Sequence, residues 1–169
     1  MNKTDERREK ILKVLIENDD PINGTELSKI FGVSRQVIVQ DIAILKEKNN
    51  DIISTNRGYK IFKKASCVRV IKVSHSDEDI ENELNIIVDL GAVVKDVFIS
   101  HKAYGKINID LNIKSRRDGQ NLNDRINAGI SKPLKNLTNG YHYHTIMAES
   151  EEILDEVVKK LDEAGYLVK

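Results

Sequence analysis

The stretch Thr25–Leu45 constrains this chain most. Thr25-Glu-Leu-Ser-Lys-Ile-Phe31 opens on a capping threonine and stops at Gly32, which predicts a short helix. Ser34 is a good N-cap for a further helix, predicted over roughly 35–48, with Ile38, Ile42 and Leu45 turned inward. A short helix, a glycine-containing turn and a following helix make a helix-turn-helix, whose later helix enters the major groove of DNA. Ahead of it, Arg7 to Asn18 reads as an amphipathic helix burying Ile11, Leu12, Leu15 and part of Val14. Asp19-Asp-Pro-Ile-Asn-Gly24 is dense in breakers and reads as a turn.

The outward positions fit DNA. Ser34, Arg35, Gln36 and Gln40 lie towards the start of the recognition helix, where base edges and phosphates are touched. Arginine suits guanine O6/N7, and glutamine pairs with adenine. Next, Asp51-Ile-Ile-Ser-Thr-Asn-Arg-Gly-Tyr-Lys-Ile-Phe62 reads as two short strands about Asn56-Arg57-Gly58, a hairpin wing with the Arg57 cation near its tip. Zero net charge conceals a bias. Residues 29–64 carry 8 Lys+Arg against 3 Asp+Glu, a net of +5, where phosphate contacts are expected.

The chain of 169 residues is long enough for two small domains, and 40% hydrophobic content supports a core in each. No long apolar run exists to span a membrane. The charged start Met-Asn-Lys-Thr-Asp-Glu-Arg-Arg lacks a signal-peptide apolar stretch, and the single Cys67 cannot form an internal disulfide. Both suggest the cytoplasm. The polar Lys63-Lys-Ala-Ser66 marks a boundary between a DNA-binding domain at 1–64 and a second domain at 67–169.

The second domain alternates regularly. Cys67–Val73 is a strand, Ser76 caps a helix over roughly 77–90, and Val93–His101 with Lys106–Lys114 form a hairpin about Lys102-Ala-Tyr-Gly105. A helix over roughly 118–130, a loop over 133–140, a strand over 141–148 and a helix capped by Ser150 complete it. The order βαββαβα predicts an α+β, ferredoxin-like two-layer sandwich.

Two of the four histidines, His142 and His144, stand one residue apart in Tyr141-His-Tyr-His144. On a strand both imidazoles leave one face, at a separation that suits chelation of one metal ion. Taken alone the pair is a weak signal, and two aromatic-flanked surface histidines are the more ordinary reading of it. His75, at the mouth of the first helix of this domain, His101 at a strand end, and Glu83, eight residues after His75, are further candidates. Imidazoles with one carboxylate suit a divalent transition metal such as Zn²⁺ or Ni²⁺. No nucleophile–base arrangement or phosphate loop appears, so the chain does not read as an enzyme.

These stretches resemble a known family. Val33-Ser-Arg-Gln-Val-Ile-Val-Gln-Asp-Ile-Ala-Ile-Leu45, Ile52-Ile-Ser-Thr-Asn-Arg-Gly-Tyr59, Val73-Ser-His75, His101-Lys-Ala-Tyr-Gly105 and Leu137-Thr-Asn-Gly-Tyr-His-Tyr-His-Thr-Ile146 are similar to the NiaR family of transcriptional repressors of NAD biosynthesis. The second half resembles the 3H domain, a small-molecule-binding module. The resemblance implies a metal held by His75, Glu83, His142 and His144, with nicotinic acid as corepressor. His101, Tyr104 and Arg116 are then candidates to orient the effector, and a homodimer would read double-stranded operator DNA. The rival reading makes the metal itself the signal. The chain departs from the family pattern at Lys102-Ala103, where Pro-Val is common, and at Gly119, where an apolar residue is usual.

Overall fold

The computed structural model describes residues 2–48, 51–62, 67–129 and 132–169. The expected linker Lys63–Ser66 lies outside them. The chain forms two compact units, Met1–Lys63 and Lys64–Lys169.

In the first unit, α1 (Lys3–Glu17), α2 (Gly24–Phe31) and α3 (Arg35–Glu47) enclose a core of Ile11, Leu15, Leu27, Ile38, Ile42 and Leu45. Each start has a side-chain cap: Asn2 accepts from Thr4 N, Asn23 from Glu26 N and Ser34 from Val37 N. The cap of α2 is thus Asn23 and not Thr25. Asn23 comes first in the chain with extended backbone, and the helix already begins at Gly24. Gly32 takes the left-handed conformation (φ 62°) that ends α2 and returns its N–H to Ser28 O. One contact bears on the orientation of α3 without showing in the apolar pattern. Asp41 is buried on α3 and accepts from Arg7 Nε (2.6 Å) and Arg8 Nε (2.9 Å) on α1.

The wing pairs β1 (Ile52–Thr55) with β2 (Gly58–Ile61) about Asn56-Arg57. Ile22 adds an isolated antiparallel rung to β2, exchanging two 2.9 Å hydrogen bonds with Tyr59. That rung explains Gly58. At φ 141°, a Cβ there would sit 2.4 Å from the Ile22 carbonyl carbon and oxygen.

The second unit runs β3 (Cys67–Ser74), α4 (Ile80–Asp89), β4 (Val93–His101), β5 (Gly105–Ile113), α5 (Arg116–Asn127), a 3-10 turn at Leu134–Leu137, β6 (Tyr141–Ala148) and α6 (Glu151–Glu163). Helix α4 starts later than the Ser76 cap predicted, because Ser76 donates instead to Asp79 Oδ2. Helices α4 and α6 share one core with the sheet: Ile71, Val73, Leu84, Ile87, Val94, Ile146, Leu154, Val157 and Leu161. Helix α5 packs closely on α4 at Gly119, where an added Cβ would stand 3.4 Å from Leu84 Cβ.

The α+β class, the βαββαβα order and the two layers are as expected. The pairing differs from ferredoxin order in one respect. The fully antiparallel sheet is ordered β3-β6-β4-β5, so the last strand lies between β3 and β4. The burial of the strands accounts for this. β5 presents mostly exposed positions and suits an edge, whereas every second residue of β6 is buried. His142 and His144 occupy buried positions on that inner strand.

The two glycines give a test. Gly58→Ala meets backbone, and Gly32→Ala meets open space at φ 62°. Denaturant unfolding of the full chain, read by amide exchange in the first unit, should show a loss of about 2–4 kcal/mol for Gly58→Ala and only about 1 kcal/mol for Gly32→Ala. Equal losses would contradict the close approach at Ile22.

Candidate metal centre and nucleic-acid interface

Glu83 stands at the centre of the second unit's polar cluster. Helix α4 presents it on the stripe that carries Ile80, Leu84 and Ile87, so its carboxylate is buried at 1% exposure. Three imidazoles converge on it. His75 Nε2 lies 2.7 Å and His142 Nε2 3.4 Å from Oε2, and His144 Nε2 lies 3.3 Å from Oε1. Ligand atoms of His75, Glu83 and His142 all fall within 4.8 Å of one another. His144 joins through the second carboxylate oxygen. The structure therefore brings together the four residues that the resemblance implied.

The donor set fits a divalent transition metal. Nδ1 of His144 lies 2.8 Å from Asp96 O, and Nδ1 of His75 lies 2.7 Å from Ser76 O. Each carbonyl accepts from an N–H on Nδ1, so Nε2 is the ring nitrogen turned towards Glu83 and the one that a metal would take in place of a proton shared with the carboxylate. Despite its short approach to His144, Glu83 Oε1 has no hydrogen bond, and neither does the buried His142 Nδ1. Orphaned buried polar atoms are uncommon, and a cation beside Oε1 would satisfy one of them.

The charges of the cluster are coupled. Burial opposes ionisation of Glu83, yet His144, His142 and His75 outweigh it and hold the carboxyl well below its ordinary range. Burial pushes His142 down, with Glu83 offsetting part of the effect. Burial also opposes the charged form of His144, but the nearby Glu83 carboxylate and the Asp96 carbonyl raise it overall.

In the first unit, Gln36, Val39 and Gln40 are exposed along the outward face of α3, and Ser34 is engaged as the cap. The Arg35 stem runs beside Gly24 and the Tyr59 ring, about 3.5 Å from where a Cβ at Gly24 would stand. Arg57 lies 3.7 Å from Asp20, and both are exposed. Such a pair is weak and leaves the guanidinium accessible to phosphate.

Comparison with known proteins matches residues 68–169 to the 3H domain and residues 7–60 to an HTH domain. The chain is 40% identical over 168 residues to the transcription repressor NadR of Bacillus subtilis, covering 96% of this chain and 93% of that protein. It is 33% identical over 165 residues to the probable transcription repressor NiaR of Thermotoga maritima, covering 97% and 94%. The chain belongs to the 3H-domain family of helix-turn-helix transcription repressors. No helix among its described residues is long and apolar enough to cross a membrane.

For a 3H-domain repressor the remaining question is where an effector would lie. A cavity of about 270 Å³ borders the cluster, with Glu83, His142 and His144 on its wall. The rest is mainly apolar, from Ile80, Leu84, Val97, Leu111, Leu122 and Ile126, with Arg125, Lys132 and Lys135 as cations. Of the expected effector residues, Arg116 is paired in two hydrogen bonds with Asp89. His101 and Tyr104 stack at 4.8 Å on the β4–β5 turn. Those three are not among the cavity residues. Sequence reasoning missed Lys135, buried in the 3-10 turn, whose Nζ donates to His75 O (2.6 Å) and pairs with Asp77 (2.8 Å). It also missed Tyr166, whose ring lies 5.3 Å from that of His75. Neither contact has a local signature, since 60 and 91 residues separate the partners.

Two outcomes follow for the cluster. A His142→Ala, His144→Ala double variant should lose at least ~100-fold in Ni²⁺ or Zn²⁺ affinity by equilibrium dialysis; full metal content would remove both as ligands. Folding lowers the pKa of Glu83, so its ionised form stabilises the metal-free protein above the ordinary glutamate range. That gain fades as pH falls below it. The acid limb of a stability-versus-pH curve should be shallower in Glu83→Gln, and an unchanged limb would contradict the assignment.

Proposed function

We propose that this repressor controls genes of NAD biosynthesis and niacin uptake, with nicotinic acid as corepressor. His75, Glu83, His142 and His144 hold a divalent Ni²⁺ or Zn²⁺ ion, and the effector occupies the adjoining cavity. The observation that carries this reading is the contact between an apolar cavity of about 270 Å³ and the four-residue cluster. A dry pocket of roughly 150 Å³ is enough for a benzene ring, so a pyridine ring fits this one comfortably. The resemblance to the NiaR family supplies the effector's identity. When bound, the metal supplies a Lewis-acidic position for a pyridine nitrogen or a carboxylate.

The chain's own residues do the rest. Leu84, Leu122 and Ile126 exclude water around the ring, and Arg125 on α5 carries a guanidinium suited to a carboxylate. Lys135 keeps the His75 loop in place through the His75 carbonyl. The protein works as a homodimer in the cytoplasm, pairing two recognition helices on a two-fold operator. The helix-free face of the sheet supports a dimer, because it exposes Val68 and Val70 beside the stacked Phe98 and Tyr143 rings.

Nicotinate strengthens repression only by binding the DNA-competent form more tightly than the other. The test measures affinity for promoter DNA of such genes with no addition, with metal, and with metal plus nicotinate or nicotinamide. Nicotinate with metal should tighten binding about 10–100-fold, an ordinary coupling. Arg125→Gln should lose most of that gain. No change across millimolar nicotinate would overturn the corepressor role. Full tightening by metal alone would make the metal the signal.

A further inference from the structure

The outward face of α3 carries one side chain that neither the fold nor the proposed effector site uses. Val39 is not among the side chains of the first unit's core and stands 38% exposed. It lies three residues after Gln36 and one before Gln40, both exposed, and four before the half-buried Ala43. These four positions share one side of the helix. The inward side is taken by Ile38, Asp41, Ile42 and Leu45, so Val39 cannot turn to the core.

On a helix that enters the major groove, such a face meets base edges. The one apolar group presented there is the 5-methyl of thymine, and small apolar side chains are its natural contacts. Valine suits it for a second reason. A β-branched side chain holds one strongly preferred rotamer in a helix, so its methyls are already ordered before DNA arrives. The flanking glutamines have the complementary chemistry, since a glutamine amide pairs with adenine N6 and N7. Arg35, the expected guanine reader, has its stem against Gly24 and Tyr59, which leaves the middle of this face without a cation.

We propose that Val39 is a specificity-determining residue: it packs on the 5-methyl group of a thymine in each operator half-site, beside an adenine read by Gln36 or Gln40. This concerns DNA reading alone and stands whether or not nicotinate is the effector.

Replacing thymine by deoxyuridine deletes that methyl and leaves every hydrogen-bonding group of the base pair in place. A duplex enriched from a random library by the full-length protein supplies the operator, and each thymine is replaced in turn. For the unaltered protein, uracil at one thymine per half-site should weaken binding about 3–10-fold, the scale of one buried methyl with its packing. Val39→Ala should bind the thymine duplex more weakly by a similar factor and lose the thymine-over-uracil preference at that position only. Its melting temperature should match that of the unaltered protein, because the side chain is exposed. If Val39→Ala fails to fold, Val39→Thr keeps the β-branch and one methyl and should retain part of the preference. A duplex in which no thymine can be replaced at a cost would overturn the proposal. So would a Val39→Ala protein that still discriminates as the unaltered one does.

Discussion

A carboxylate buried among three imidazoles is the constraint on which the second unit depends. Taking Glu83 out of water is costly unless charges and hydrogen-bond donors surround it. His75, His142 and His144 meet that need, and each comes from a different part of the fold or a different rung of one strand. Helix α4 therefore has to lie over β6, with the loop after β3 closed down on the helix start. Lys135 and Tyr166 reinforce that closure from the 3-10 turn and the C-terminal segment. The cluster is a structural commitment as much as a proposed binding site. Its remaining orphan oxygen, Glu83 Oε1, is the place where the arrangement is least satisfied on its own.

The adjoining cavity follows from the same geometry. Gly119 lets α5 approach α4 closely, and the 3-10 turn at Leu134–Leu137 brings Pro133 and Leu134 to the cavity wall. An apolar pocket bounded by a polar cluster on one part and cations on another suits the small aromatic anion proposed as effector. In the first unit, the Asp41 carboxylate plays a comparable organising part. It ties α3 to Arg7 and Arg8 on α1, so the recognition helix is held by charge as well as by Ile38, Ile42 and Leu45.

Local features were legible in the sequence where local physics decides them. Ser34 as a cap, Gly32 as a left-handed stop and the wing turn at Asn56-Arg57 were all read from neighbouring residues. The alternation of β6 likewise placed His142 and His144 on one face. Long-range pairing was not legible. Nothing near β6 says that it sits between β3 and β4, and a hairpin such as β4–β5 reveals only its own partner. Arg116 looked available in the chain because its partner Asp89 lies 27 residues earlier on another helix. Arg125, by contrast, lines the cavity, which becomes apparent only once α5 is packed. His75 and Glu83 were candidates by position, their proposed role as ligands came from family resemblance, and their convergence with β6 is a tertiary fact.

The proposed corepressor role requires that the four-residue cluster hold a metal with a coordination position facing the cavity. Loading the protein with Co²⁺ makes that position visible, because the ion's d–d absorption bands report coordination number and ligand type. Nicotinate should shift these bands saturably with one equivalent per chain, and nicotinamide should do so far more weakly. Bands that stay unchanged up to millimolar nicotinate, in protein that binds one Co²⁺ per chain, would contradict it.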